Sequence, residues 1–221
     1  TSLVPYLILM VLSFYLYQYS FWWPLILAFP AHIFHARMFM ILHDCGHQSF
    51  FKDRKWNTIM GHFLGLFFYM PFDAWVQGHN KHHAYQGNLD HRDANPDVWT
   101  MTVNEFKEAT PLKRLFYRLY RNRVLFLTIG PTLLFMVFFR FPYLKGKDRA
   151  LPNILLMNLF IIVLWTIAYN TIGLGTFLWI QMPPLMISFS VGVWLFYVQH
   201  QYEDTIWFND ETYQFETAAV E

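Results

Sequence analysis

Apolar residues along this chain come in long, nearly unbroken runs, without the alternation that marks half-buried strands. Five runs stand out: residues 3–19, 22–42, 124–139, 153–172 and 177–198. A helix that crosses a bilayer needs about 20 such residues. The second, fourth and fifth runs meet that length, and the first meets it if apolar residues precede it. A further apolar segment, 59–70, is too short to cross as a straight helix. The pattern predicts an all-α integral membrane fold.

Basic residues decide how those helices are threaded. Of the 16 Lys and Arg residues, eleven lie between residues 48 and 123, four lie between 140 and 149, and Arg37 is the last. The short connections 18–21 and 173–176 carry none. Cytosolic loops hold the excess of Lys and Arg in membrane proteins, so the long middle region and the 140–149 loop are assigned to the cytosol. The run 124–139 then joins two cytosolic regions and should not cross. It is short, Gly130-Pro131 interrupts it, and it reads as an interfacial or re-entrant helix. The same holds for 59–70. The expected architecture is four transmembrane helices as two hairpins, with interfacial helices and a cytosolic cap, forming one domain over residues 1–221. A five-crossing alternative would put the chain after Val198 on the opposite face, His200 with it.

Composition agrees with a membrane setting. Hydrophobic residues make up 55% of the chain, aromatics 21% and charged residues 14%, against about a quarter charged in soluble domains. The net charge of +1 gives no sign of a nucleic-acid partner. A single cysteine, Cys45, excludes an intrachain disulfide. The chain opens on Thr1 and runs through Glu221 without a tail-like segment, so a fragment of a longer protein is expected. The polar loop 85–100, with Gly87, Asn88, Asp90 and Asn95-Pro96, reads as surface coil.

The ten histidines are not scattered. His43 and His47 frame His-Asp-Cys-Gly-His. His79, His82 and His83 form His-Asn-Lys-His-His. His200 stands just past the last apolar run. Residues three or four apart share a helix face, so each cluster can aim its rings at one point. With four crossings, all six rings meet at the cytosolic membrane surface. Neutral imidazole is the commonest metal-binding side chain, and six exceed the four ligands of a tetrahedral zinc, so two metals are the natural reading. Spacing does not choose between zinc, copper, nickel and iron. His32, His35 and His62 read as polar residues satisfied by their surroundings, and His91 as a loop residue.

At these residues the sequence resembles the membrane fatty acid desaturases, most closely the bacterial acyl-lipid branch related to delta-12 and delta-5 enzymes. His43-Asp44-Cys45-Gly46-His47 matches the family's HxxxH box, and His79-Asn80-Lys81-His82-His83 matches its HxxHH box. The stretch from Phe196 through Gln199-His200-Gln201 to Asp204 resembles the segment closing the last helix, where a histidine is an additional iron ligand. Asn88-Leu89-Asp90, Asp97-Val98-Trp99-Thr100 and Tyr117-Arg118-Leu119-Tyr120-Arg121-Asn122 resemble loops that follow. The family's third box, a final HxxHH, is absent. The chain ends 21 residues after His200, and truncation is expected over divergence.

The resemblance implies a di-iron centre held by His43, His47, His79, His82, His83 and His200, with O2 as co-substrate and no catalytic residue beyond the ligands. It implies an acyl chain of a membrane lipid as substrate and a separate electron donor, ferredoxin or cytochrome b5-like. No heme, flavin or iron–sulfur motif is present, and one cysteine cannot hold a cluster. The basic residues Lys113, Arg114, Arg118, Arg121 and Arg123 could dock an acidic donor or anionic headgroups. Asp44, Asp90, Asp97, Glu203 and Asp204 are candidates to orient the ligand imidazoles. Cys45 is not a ligand on the family pattern. The location implied is a bacterial cytoplasmic membrane, with the histidines on the cytosolic side. Three other readings stay open: a hydroxylase or carotenoid ketolase with the same boxes, a non-catalytic metal or heme electron-transfer protein, and a fragment that, lacking the third box, is itself inactive with a structural or regulatory role.

Overall fold

The computed structural model describes residues 2–93, 98–141, 150–201 and 205–214. Helix α1 (Leu3–Tyr17) leads into α2 (Trp23–Gly46), then α3 (Arg54–Gly65) and α4 (Phe72–Tyr85). Short helices α5 (Val103–Glu108) and α6 (Pro111–Tyr120) follow, then α7 (Gly130–Met136), α8 (Leu151–Thr171) and α9 (Leu174–His200). Among the described residues there is no strand, only an isolated bridge between Asn88 and Phe208. The all-α expectation is met.

Helices α2, α8 and α9 are each long and apolar enough to cross a membrane. They are apolar on nearly every side, as a span facing lipid requires: Leu155, Leu156, Leu159, Ile162 and Ile167 of α8 are all exposed. Helix α1 is apolar but has only 15 residues. Two bent pairs would raise the number of candidate spans to five: α3 with α4, bent by 101°, and α6 with the helical stretch Leu125–Arg140, bent by 58°. The described helices thus offer three to five candidate spans.

The run 124–139 is continuously helical but changes pitch. A π-helical turn, Leu125–Ile129, passes into α7 and then into a 3-10 turn, Phe138–Arg140. Gly130-Pro131 lies at the change of pitch and does not end the helix. Proline fits there because it falls in the first turn of α7, where its missing N–H has no partner to lose.

The bend between α3 and α4 is built from the core. Leu66–Phe68 form a 3-10 turn, and Tyr69 follows with φ of 51°, a left-handed conformation for a non-glycine residue. Phe68, Tyr69, Met70 and Phe72 are all buried with Met38 and Leu42 of α2, Met157 of α8 and Leu185 of α9. Close packing among these large side chains holds the roughly 1–3 kcal/mol of one disfavoured backbone conformation in place. Several polar groups inside find partners. His35 of α2, fully buried, donates from Nε2 to the Phe67 carbonyl at 3.1 Å. The Tyr69 hydroxyl donates to Gln181 Oε1 at 2.8 Å. The Arg140 guanidinium donates to the Tyr69 carbonyl and to Asn158 Oδ1 at 3.2 Å. His35 is eight residues before His43, or about 12 Å along the helix, so the bend dips well into the bundle.

Candidate metal centre

The histidine boxes lie where helix geometry predicts. His43 is in the last turn of α2 and His47 caps its end. His79, His82 and His83 occupy the second half of α4. His200 is the last residue of α9. Bringing α4 across the end of α2 closes the first group: His43, His47, His79 and His83 each offer a nitrogen, and these atoms all lie within 4.8 Å of one another. His79 Nε2 lies 3.0 Å from His47 Nε2 and 3.1 Å from His83 Nε2. One such nitrogen carries either a proton or a lone pair, so this three-way contact shares a single proton or lone pair between two neighbours. A cation accepting all the lone pairs resolves the conflict, and four neutral imidazoles are a fitting donor set for a transition metal.

The electrostatics favour that protonation state. His79 is pushed down to about 3, first by burial and then by the neighbouring rings of His43, His83, His47 and His82. His47 is also lowered, by burial and by His43, against a smaller opposing effect of Asp44. Metal binding needs imidazole deprotonated, and here the protein supplies it so.

The other two histidines form a second group beside the first. His82, buried, has its ring 4.6 Å from that of His200 and 4.9 Å from that of Phe196. His82 also lies 5.2 Å from His83 and 5.9 Å from His79, ring to ring. All six predicted residues are therefore gathered in one place, as four converging nitrogens and an adjoining pair.

Some neighbours escaped the sequence reading. Trp75 stacks on His79 at 4.6 Å with 14° between planes. It is four residues before His79 on α4, a spacing that could have been read. Trp75 in turn lies against Gly46, where an added Cβ would sit 2.7 Å from Trp75 Cζ3. The glycine of the first box is the space the indole occupies. Cys45 is fully buried beside it and is not among the converging groups. Among the candidate carboxylates, Asp44 lies 3.5 Å from His43 Nδ1. Asp90 instead accepts from the Asp210 backbone. Asp97, Glu203 and Asp204 fall outside the described residues.

The remaining histidines are held elsewhere. His32 contacts the Phe29 carbonyl, His62 lies 3.3 Å from Asp73 and His91 lies 3.1 Å from Asp210. The basic face is partly engaged within the chain. Arg121 donates to Gln201 Oε1 at 2.6 Å, Arg118 covers Phe106 and Lys113 lies over Trp99.

An all-α chain whose apolar helices end in six gathered imidazoles defines a histidine-box membrane protein. Its relatives agree. The fatty acid desaturase family profile matches residues 20–219, and the chain belongs to that family. A fatty acid desaturase of Bacillus subtilis (strain 168) is 39% identical over 220 residues, all of this chain and 62% of its own length. An sn-1 oleoyl-lipid 12-desaturase of Arthrospira platensis is 30% identical over 141 residues, 64% of this chain and 38% of its own. An sn-1 acyl-lipid omega-3 desaturase (ferredoxin) of Nostoc sp. (strain 36) is 34% identical over 99 residues, 44% of this chain and 25% of its own. The chain thus spans less than two thirds of the length of these relatives. No solved structure matches it.

Proposed function

We propose that this chain carries the metal-holding core of a membrane desaturase that introduces a double bond into the acyl chain of a lipid. The observation behind the proposal is the convergence of His43, His47, His79 and His83 at the end of an apolar helix, with His82 and His200 alongside. Two iron ions are the proposed cofactors, one for each group. Iron would supply, with O2, the oxidising power that unactivated C–H bonds demand. Neutral imidazoles of α2 and α4 hold the lone pairs toward one point. Trp75 fixes the plane of His79. The aromatic packing of Phe39, Phe72 and Trp75 keeps water from the apolar side of the site.

Four crossings are proposed: α1 with α2, and α8 with α9. Helices α2 and α9 both end at the histidines, so the chain between them leaves and returns on one side. Helix α4 joins the start of α8, where the Asp73 backbone donates to Asn153 at 3.0 Å, to the end of α9 at His200. Helix α4 therefore lies across that side, the expected cytosolic face of a bacterial cytoplasmic membrane. Two electrons would come from a ferredoxin or a cytochrome b5-like protein. The Nostoc relative is named for ferredoxin, and an acidic protein would suit the exposed part of the α6 basic face.

The test is lipid analysis by gas chromatography–mass spectrometry in a host expressing the full-length protein, with His82→Ala as control. A new unsaturated acyl chain that disappears in the control supports the proposal and locates the double bond. A hydroxylated lipid in its place assigns the chain to the hydroxylases. Unchanged lipids, in a host that supplies a ferredoxin and loads the protein with iron, reject the proposal.

A further inference from the structure

Residues 205–214 lie across the loop that leaves α4, and their contacts with it run from Ala84 to His91, just past His82 and His83. The backbones pair in a short parallel bridge: Leu89 N–H donates to the Phe208 carbonyl and Phe208 N–H to the Gly87 carbonyl, both at 2.9 Å. Gly87 has φ of +74°, and an added Cβ would sit 3.3 Å from the Ile206 carbonyl and 3.6 Å from the Phe208 ring. The position needs glycine both for its backbone and for the closeness of the segment.

Side chains close the same contact at four points. Asp210 Oδ1 accepts from Asn88 Nδ2 at 2.9 Å and faces His91 Nε2 at 3.1 Å. The Asp210 backbone N–H donates to Asp90 Oδ2 at 2.9 Å. The Tyr213 hydroxyl donates to the Ala84 carbonyl at 2.8 Å, which satisfies one of the carbonyls left over at the end of α4. His91 is itself stacked on Tyr85 at 4.1 Å, two residues past His83. Directly after His200, Gln201 Nε2 donates to the Val98 carbonyl at 2.9 Å.

None of these residues is one of the four converging histidines. Their common effect is to tie the chain that follows α9 to the chain that follows α4. His82 and His200 are the two box histidines at those two ends. Short backbone bonds alone would leave an exposed two-residue bridge, which is marginal in water. Asp210, with three partners from one loop, makes it a fixed joint.

We propose that residues 205–214 are a clasp that sets His200 against His82, and that Asp210 is its positioning residue. The inference rests on the reading of the six histidines as two metal sites. It also makes a claim that stands without metal: removing Asp210 separates the ends of α4 and α9 while leaving the α2–α4 group intact.

The experiment uses the full-length protein in detergent, compared with Asp210→Leu, Gly87→Val and Asp210→Asn. Asn keeps the Oδ1 acceptor and is the conservative rescue. Two readouts are taken: iron bound per chain, and amide hydrogen exchange without metal. Wild-type protein should bind two irons per chain. Asp210→Leu and Gly87→Val should bind one and exchange about tenfold faster or more at Leu89, Phe208 and the last turn of α4, with the end of α2 unchanged. Asp210→Asn should hold two. Unchanged exchange in Asp210→Leu overturns the clasp, whatever the metal content. Wild-type protein binding fewer than two irons overturns the two-site reading, and the exchange data then decide the clasp alone. Faster exchange everywhere, the end of α2 included, also counts against it, since Asp210 would then support the whole fold.

Discussion

The two groups of histidines are built by different means. His43, His47, His79 and His83 come from two helices, each supplying a pair four residues apart, and one helix–helix approach completes the set. His82 and His200 come from distant parts of the chain and meet where α9 ends beside α4, a meeting that the proposed clasp holds. The first group has nitrogens in contact at 3.0 and 3.1 Å. The second has rings side by side at 4.6 Å. Local periodicity makes the first site; tertiary packing makes the second. The first should therefore resist distant substitutions that the second does not.

The largest effects should separate the groups outright. His79→Ala removes the nitrogen at the centre of the first group and should abolish metal binding there. His200→Ala should cost only the second metal, leaving about one iron per chain by elemental analysis. Equal losses in the two variants would show that the groups are one cooperative site. Next, Gly46→Ala forces a methyl group into the space of Trp75 Cζ3. Overpacking of this kind costs roughly 1–3 kcal/mol. It should shift the metal spectrum of the first group, through Trp75 and His79, more than that of the second.

Smaller effects test how α4 is held. Its N-cap position is Pro71, which makes no side-chain cap. Asn153 of α8 serves instead, accepting from the Asp73 backbone and contacting His62 Nδ1 at 3.2 Å. Asn153→Ala should lower stability by about 1 kcal/mol, the usual worth of a cap, as read from thermal unfolding in detergent. The smallest effect lies farthest away. Arg92 hydrogen-bonds Glu105 and holds its carboxyl down to about 2, with help from the Thr102 backbone. A depressed carboxylate stabilises the fold above its ordinary value of 4.5, and that contribution fades as pH falls toward 2. A pH titration of the Glu105 carboxyl signal by NMR should show the low midpoint, with the histidine groups unaffected by Glu105→Gln.

Much of this was legible in the sequence. The apolar runs fixed α2, α8 and α9, since a helix apolar on every side needs no partner to be recognised. The box spacings fixed which imidazoles share a face. The segment 59–70 was legible as too short to cross as a straight helix, but the 101° bend between α3 and α4 was not. The left-handed Tyr69 is imposed by packing among Phe68, Met70 and Phe72, and no local preference announces it. Gly130-Pro131 read as an interruption because those residues usually are one; the π-helical turn before them absorbs the change. Asp210 and His91 carried no signal, because their partners lie on the other side of the chain.

Gly46 also bears on what the first box is. Written as HxxxH, the motif treats its three middle letters as free. Here they are unequal. Cys45 is sealed in the core, and Gly46 marks the footprint of an indole from another helix. Only Asp44, half-exposed, has room to vary. A library randomised over these three positions should return many residues at 44, small apolar ones at 45 and glycine at 46. Substitutions larger than glycine should recover at 46 only with a smaller residue at 75. The two positions form one packing unit, although Gly46 lies in the first box and Trp75 four residues before the second.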